Sequence, residues 1–198
     1  YGYEICIVSR KDIKQININV SLEKISFLKL NLAIEKSWAN KHLINQLKNC
    51  YGIINLAGEP IADKRWSEEQ KQEIEKSRLC TTSYLMRNLK KNNINPKVIV
   101  NASAIGFYGT SLDKEFDENS PSGDDFLANL CTKWEDAALE KPFFSRLVIF
   151  RIGIVLGKNG GALSKMLPIF KIGLGGPIGA GNQWMSWIHI DDLCGLII

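Results

Sequence analysis

Three runs of mostly apolar residues constrain the fold of this chain more than any other feature. They cover residues 51–56, 98–102 and 147–156. Each run contains no more than one charged or amide side chain and does not alternate, which is typical of strands covered on both faces in a parallel sheet. A shorter run, Ile5–Val8, predicts one more strand near the start of the chain.

Helical patterns separate these strands. Ser67 opens the sequence Ser-Glu-Glu-Gln, a capping box that predicts a helix from Ser67 to about Lys91. Further helices are predicted at roughly 124–140 and from about residue 162 to just before Gly173. The alternation of strands and helices predicts an α/β fold, a single domain with a doubly wound parallel sheet. Residues 12–50 show no clear pattern beyond an alternating run at 16–20 that resembles a strand.

The composition excludes several classes of function. The net charge is only +4, and acidic residues are interleaved with Lys and Arg at 64–78, so no nucleic-acid partner is expected. The two histidines lie far apart in sequence, which predicts no metal site. No apolar run approaches the roughly 20 residues of a membrane span, so no membrane partner is expected.

The cysteines and the two ends of the chain bear on its context. Five cysteines without a C-x-x-C spacing predict free thiols in a reducing, intracellular compartment, with the cytoplasm favoured. The chain opens without Met directly before a strand and stops in a helical pattern after Asp191 and Asp192. These ends predict a fold that is truncated at both ends, in which a targeting peptide cannot be judged.

Ligands of a doubly wound sheet bind beyond the carboxyl ends of its strands. The first predicted strand is followed by Ser9, Arg10 and Lys11, a hydroxyl and two cations that suit a 2′-phosphate. An acidic residue would suit the 2′-hydroxyl of NAD instead, so this strand end favours NADP. Surface cations that simply close a strand are the alternative.

Two further strand ends carry candidate residues. Ala57 and Gly58 follow the run at 51–56, where a small residue lets a nucleotide approach the backbone; a tight turn is the alternative. Ser103 and Tyr108 follow the run at 98–102, and Ser103 is placed to bond a substrate carbonyl or hydroxyl. A serine that satisfies loop backbone is the commoner case.

Taken together, the motifs at these strand ends resemble the epimerase-family proteins among the atypical short-chain dehydrogenases/reductases. The resemblance covers residues 1–10 and then 51 onward, and it rests on the order and spacing of NLAGEPI, NASAIGFYG, KWEDAA, RIGIVLG and WIHIDDL. It implies that residues 1–198 form a partial NADP-binding Rossmann-type domain. It further predicts that the first strand and glycine loop of the family are absent from residues 1–198 and that a smaller substrate-side region begins within 174–198.

The resemblance also assigns cofactor contacts. It implies that Ser9 and Arg10 hold the 2′-phosphate and that other contacts come from Leu56, Ala57, Glu73, Arg78 and Val155. Glu73 and Arg78 are five residues apart, about 140° around a helix, which disfavours a simple surface ion pair between them.

The chain has only some of the catalytic residues of the family that it resembles. Members use a Ser or Thr after the fifth strand, here Ser103, and a Tyr-x-x-x-Lys on the next helix, whose lysine lowers the pKa of the tyrosine and holds the ribose. The lysine position falls on Lys133 and the tyrosine position on Asn129, and asparagine cannot exchange a proton near neutral pH. Tyr108 is therefore the candidate substitute acid. A solvated Lys133 at the edge of an apolar stripe is the alternative.

The sequence thus favours an NADP-dependent oxidoreductase or epimerase-like enzyme acting on a small carbonyl, hydroxyl or nucleotide-sugar-like substrate. Two alternatives stay open: a non-catalytic NADP(H)-binding or sensing protein, and a gene-model fragment without independent function.

Overall fold

The computed structural model of the chain describes residues 2–12, 24–158, 160–177 and 179–198. These residues form two compact units. The first comprises Tyr1–Asn101 and Lys133–Val148, and the second comprises Ala102–Thr132 and Ile149–Ile198. The assignment of all 198 residues to one partial cofactor-binding domain stays a prediction.

The first unit contains a parallel pair of strands near the start of the chain. Strand β1 (Ile5–Ser9) confirms the predicted first strand, and it pairs with β2 (Ile25–Lys29) so that Ser9 lies opposite Lys29. The sequence did not predict β2, and the alternating run at 16–20 lies outside the described residues. Because β1 ends at Ser9, Arg10 follows at the carboxyl end of this strand pair.

A second sheet has the strand order β3–β4–β5, where β3 is Gly52–Asn55, β4 is Val98–Ala104 and β5 is Arg146–Ile152. Strands β3 and β4 are parallel, and Asn55 lies opposite Asn101 at the carboxyl end of β3. All three strands were predicted. The expectation that each is covered on both faces is wrong for β3, because it lies at the edge of its sheet and leaves Ile54 54% exposed.

Two helices begin directly after a capping residue, and the sequence predicted only the second of them. Helix α1 (Lys41–Asn49) follows the 3-10 helix Glu35–Ala39 and is capped by Asn40, whose side chain accepts from the N–H of Leu43 at 3.0 Å. Helix α2 (Glu68–Lys91) is capped by Ser67, which accepts from the N–H of Gln70 at 3.2 Å. Helix α3 spans Phe126–Leu139.

The core of the first unit is built from apolar side chains of these elements. The most deeply buried include Trp38, Leu43, Ile74, Leu85, Met86, Leu89, Ile99, Val100, Trp134 and Ala138.

The second unit corrects one prediction. The run at 147–156 is not one strand: β5 ends at Ile152, and β6 (Ile154–Gly157) pairs in parallel with β7 (Trp187–His189). The break falls at Gly153, where a Cβ would lie 2.8 Å from the carbonyl oxygen of Ser186, so only glycine fits this approach. Helices α4 (Gly161–Lys171) and α5 (Ile190–Ile197) complete the unit.

Candidate functional site

Glu59 is the centre of the polar cluster that follows β3. Its side chain is only 12% exposed, and one carboxylate oxygen lies 2.8 Å from Nη2 of Arg10 while the other lies 3.3 Å from Nζ of Lys64. Its backbone is fixed as well: the N–H donates to Oγ of Ser77 at 2.8 Å, and the carbonyl oxygen accepts from Nη1 of Arg78 at 3.0 Å. Glu59 therefore joins two of the predicted cofactor residues, Arg10 and Arg78.

The charge of Glu59 is stabilised by these neighbours. The hydrogen bond from Arg10 holds the pKa of the Glu59 carboxyl below its ordinary value, and Lys64 acts in the same direction against the effect of burial. The carboxylate is therefore ionised at neutral pH, and it fixes the guanidinium of Arg10 by a charge-assisted hydrogen bond.

Glu73 and Arg78 extend this cluster through Arg10 and through the backbone of Glu59. Oε1 of Glu73 lies 3.9 Å from Nη1 of Arg10, a loose ion pair between half-exposed side chains. Arg78 also donates to the carbonyl oxygen of Ile74 at 3.1 Å and lies over the Trp134 ring at 5.3 Å. Arg10, Glu73 and Arg78 are thus brought together around Glu59.

Gly58 allows a close approach, but the approaching group belongs to the chain itself. A Cβ at Gly58 would lie 2.8 Å from Cζ of Arg78. The sequence suggested that a nucleotide would come close to the backbone at this position. In the structure the space beside Gly58 holds the guanidinium of Arg78.

A buried polar network supports the strand end that precedes Gly58. Nδ2 of Asn55 donates to Oγ1 of Thr82 at 3.0 Å and to Oδ1 of Asn101 at 2.7 Å, and Nε1 of Trp134 donates to the same Thr82 oxygen at 2.9 Å. Oδ1 of Asn55 accepts from the N–H of Ala57 at 3.3 Å. Ala57 is therefore held by the network, whereas the neighbouring side chain of Leu56 is 57% exposed. Sequence reasoning missed both Glu59 and this network, because their partners are distant in the chain.

Ser9 lies at the last position of β1. Its hydroxyl accepts a hydrogen bond from the N–H of Lys11 at 3.1 Å, a local contact that shapes the turn after the strand. Ser9 and Arg10 therefore occupy the strand end where the sequence placed them, and Arg10 is the one tied to Glu59.

Lys133 and Asn129 lie on α3 and have local partners. Nζ of Lys133 lies 2.8 Å from Oε1 of Glu75 on α2, and the Lys133 side chain is 59% exposed. The amide of Asn129 donates to the carbonyl oxygens of Asp124 and Asp125 at 3.0 and 2.8 Å. The Asn129 side chain thus bonds to the backbone just before its own helix. The assignment of Lys133 to ribose binding stays a prediction.

Ser103 and Tyr108 belong to the second unit. The prediction that Ser103 lies just past its strand is wrong, because β4 continues to Ala104; Ser103 is 3% exposed. Tyr108 ends a short 3-10 helix, Ile105–Tyr108. The Tyr108 hydroxyl accepts from Nη1 of Arg151 at 2.9 Å, and its ring stacks on Phe116 with centroids 5.2 Å apart. Because the phenol oxygen accepts from Arg151, its own O–H can donate to another group.

Arg151 holds the loop that carries Tyr108. Its guanidinium lies 3.5 Å from the centroid of Phe107 and donates to the carbonyl oxygen of Glu118 at 3.2 Å. No pattern in the sequence predicts this role, since Arg151 only interrupts an apolar run.

Val155 lines a cleft of about 580 Å³ in the second unit. The other lining residues are Gly157, Lys158, Gly160, Gly161, His189, Ile190 and Asp191. The N–H of Asp191 donates to Nδ1 of His189 at 3.3 Å, so this imidazole caps α5. Val155 therefore lines a cleft, and its contact with a cofactor stays a prediction.

The described residues form neither a metal cluster nor a helix that could cross a membrane. Over the described ranges, no group of three His, Cys, Asp or Glu side chains is placed to hold a metal ion. In the same part of the chain, each helix is too short or too polar to cross a membrane.

Comparison with known protein families gives a match over the whole chain. The model of the NAD dependent epimerase/dehydratase family matches residues 1–198. A curated relative is the epimerase family protein SDR39U1 homolog, chloroplastic, of Arabidopsis thaliana, which is 48% identical over 159 residues, covering 77% of this chain and 46% of the relative. The chain thus spans about half the length of this relative.

Solved structures agree in fold. The crystal structure of human epimerase family protein SDR39U1 (isoform 2) with NADPH has a TM-score of 0.79 and 38% identity over 99% of this chain and 61% of the human chain. The Bordetella bronchiseptica enzyme WbmG in complex with NAD has a TM-score of 0.75 at 12% identity over 99% of this chain and 60% of that chain, a likeness of fold alone. The chain therefore has the Rossmann-type α/β fold of these proteins.

Proposed function

This chain belongs to the NAD dependent epimerase/dehydratase family, and on that premise we propose that it binds NADP(H) as part of an oxidoreductase or epimerase-like protein. The substrate would be a small carbonyl, hydroxyl or nucleotide-sugar-like molecule. When bound, the nicotinamide cofactor would supply or accept a hydride.

The observation that carries the proposal is the cation at the end of β1. Arg10 stands where an acidic residue would hold the ribose hydroxyl of NAD, and Glu59 fixes its guanidinium while leaving the side chain 42% exposed. A fixed and accessible guanidinium suits a phosphate, so Ser9 and Arg10 would hold the 2′-phosphate. The human relative solved with NADPH supports this preference.

The remaining cofactor contacts would come from the same cluster and from the cleft. Leu56 and Ala57 would contact the cofactor at the end of β3, beside Glu73 and Arg78. Val155 would contribute from its cleft in the second unit.

For catalysis we assign three side chains. Ser103 would bond the reacting oxygen of the substrate, Tyr108 would exchange its proton, and Lys133 would hold the ribose. The hydrogen bond from Arg151 to Tyr108 supports the second role, because it fixes the phenol in one orientation.

A non-catalytic NADP(H)-binding or sensing protein is the second candidate. Two observations favour this candidate. Asn129 stands at the tyrosine position and its amide donates to the backbone at the start of α3, and Lys133 is paired with Glu75. Cofactor binding is common to both candidates, whereas turnover separates them.

The test is a titration of the purified full-length protein with NADPH and NADH, followed by incubation with carbonyl compounds and nucleotide sugars. We expect tighter binding of NADPH and consumption of the cofactor with some substrate. Tyr108→Phe should abolish consumption and leave NADPH affinity unchanged, while Tyr84→Phe on α2 serves as the matched control. Tight binding without consumption would support the sensing protein, and equal affinity for both cofactors would refute the NADP preference.

A further inference from the structure

The connection between α3 and β5 is a tight turn with two phenylalanines at its tip. The N–H of Ser145 donates to the carbonyl oxygen of Pro142 at 3.2 Å, which closes a four-residue turn over residues 142–145, called the aromatic turn below. Phe143 and Phe144 occupy its two central positions. They are 86% and 81% exposed, and their rings meet edge to face with centroids 5.2 Å apart.

These residue types are unusual at such a position. The central positions of tight turns favour Gly, Pro, Asn, Asp and Ser, because those residues fit the backbone or bond to it. Phenylalanine offers neither advantage, and two exposed rings leave a large apolar area in water. Neither ring packs into the core of the first unit, so a role in its folding does not explain them.

Cations surround the aromatic turn. Nζ of Lys141 donates to the carbonyl oxygens of Pro142 and Phe143, both at 3.3 Å, which places an ammonium group at the base of the turn. Arg146 follows the turn, and its N–H donates to the carbonyl oxygen of Lys97 at 3.1 Å. Lys97 directly precedes β4, so it lies beside the turn. Lys97 and Arg146 are both exposed.

The local charge is positive. Glu140 is the acidic residue that adjoins the turn, and its carboxylate is paired with Lys90 at 3.0 Å. Neither Lys97 nor Arg146 forms an ion pair with any residue that the structure describes. Tyr51 adds a third exposed aromatic ring at this edge: it is 66% exposed, and its carbonyl oxygen accepts from the N–H of Lys97 at 2.8 Å.

We propose that the aromatic turn, with Tyr51, Lys97 and Arg146, docks the protein on the surface of an anionic phospholipid membrane. Aromatic rings are favoured at the interface between lipid and water, and basic side chains beside them are attracted to anionic headgroups. Attachment of this kind needs no membrane-spanning segment.

The shape of the surface favours a membrane over a protein partner. Two phenylalanines bury about 300–500 Å² in total, whereas each partner in a standard protein interface contributes about 800 Å². The rings project from the tip of a turn, so a protein would have to offer a matching concave pocket. A lipid surface is deformable and accepts a projecting aromatic pair without such a pocket.

The proposal does not depend on the proposed cofactor binding. The aromatic turn, Tyr51 and Lys97 precede the first residues of β5, β3 and β4, whereas Ala57 and Glu59 follow the carboxyl end of β3. The two surfaces lie at opposite ends of β3. Docking would therefore leave the Glu59 cluster accessible.

The test is co-sedimentation of the full-length protein with phosphatidylcholine vesicles that contain or lack about 30 mol% phosphatidylserine. We expect binding that requires phosphatidylserine and weakens with salt. The double variant Phe143→Ser, Phe144→Ser should lower the partition coefficient by about tenfold or more. Lys97→Gln with Arg146→Gln should remove the dependence on phosphatidylserine.

The matched control is the double variant Ile172→Ser, Leu174→Ser, which removes two other exposed apolar side chains, 69% and 74% exposed. It should bind vesicles like the unchanged protein. Because the two phenylalanines are exposed, the aromatic double variant should keep its melting temperature, which circular dichroism checks.

Three results would overturn the proposal. One is no binding to vesicles with phosphatidylserine, and another is equal binding by the aromatic double variant. The third is self-association of the unchanged protein that the aromatic double variant loses, which would show that a second copy of the chain covers the turn.

Discussion

The carboxylate of Glu59 lies 2.8 Å from the guanidinium of Arg10, although the two residues are 49 positions apart in the chain. Glu59 is itself fixed through its backbone by Ser77 and Arg78. Arg10 is therefore held in one place before any ligand arrives, which lowers the entropy that its side chain loses on binding a phosphate.

We expect Glu59→Gln to weaken NADPH binding and to leave NADH binding unchanged. An immobilised side chain is worth about 0.5–1.5 kcal/mol, so the dissociation constant for NADPH should rise by about 2- to 12-fold. Fluorescence titration with each cofactor measures both values. Glu68→Gln, which removes an exposed carboxylate paired with Lys71, is the control for the change of charge. Tighter NADPH binding by Glu59→Gln would mean that Glu59 competes with the phosphate.

The stability of the protein should depend on Glu59 at acid pH. Because Arg10 lowers the pKa of this carboxyl in the folded state, its contribution is fully present above the unfolded pKa and is lost as the pH falls through the folded pKa. Between about pH 5 and about pH 3, the unchanged protein should therefore lose more stability than Glu59→Gln. Urea denaturation at a series of pH values measures this difference. Parallel losses in the two proteins would contradict the prediction.

Gly58→Ala should displace Arg78. The new Cβ would lie 2.8 Å from Cζ of that guanidinium, which moves more easily than the backbone. Arg78 would then lose its bond to Glu59 and its contact with Trp134, so the free energy of unfolding should fall by about 1–2 kcal/mol. Cofactor affinity should fall as well if Arg78 is a contact.

Gly176→Ala is the control for this substitution, because a Cβ at that position meets nothing within 4 Å. Urea denaturation of both variants gives the comparison. Equal stability of Gly58→Ala and Gly176→Ala would show that the approach of Arg78 does not require glycine.

Thr82→Val should destabilise the first unit strongly. Valine matches threonine in shape, but it cannot accept the hydrogen bonds of Asn55 and Trp134, so two buried donors lose a partner. The expected loss in the free energy of unfolding is about 2–4 kcal/mol. Thr132→Val is the control, because its hydroxyl donates to the carbonyl oxygen of Ala128 within α3. Losses of the same size would argue against the network.

Much of the fold could be predicted from local patterns. The capping box at Ser67 and the apolar runs gave the starts of α2, β3 and β4 to within one residue, because caps and strand burial act over a few neighbouring positions. The break at Gly153 was missed, since it depends on the distant carbonyl group of Ser186. Strand β2 was missed because Ile25–Lys29 does not stand out from its flanks.

The residues of the candidate site that lie at the ends of strands could be predicted from the sequence. Those that depend on contacts with distant parts of the chain could not. Ser9 is the last residue of its strand, and Arg10 and Ala57 follow theirs. Glu59 and Asn55 act through partners on α2 and β4, and no spacing in the sequence reports such partners. The solvated pairing of Lys133 with Glu75 likewise depends on how α2 and α3 meet.

The network of Asn55, Thr82, Asn101 and Trp134 has a consequence for how relatives of this chain can diverge. Each hydrogen bond in the network joins two side chains from different segments. A substitution at one position therefore leaves a buried polar group at another position without its hydrogen-bond partner. Substitutions at these four positions should therefore occur together or not at all among homologous sequences. Positions such as Leu56, which reach solvent, should vary independently of them.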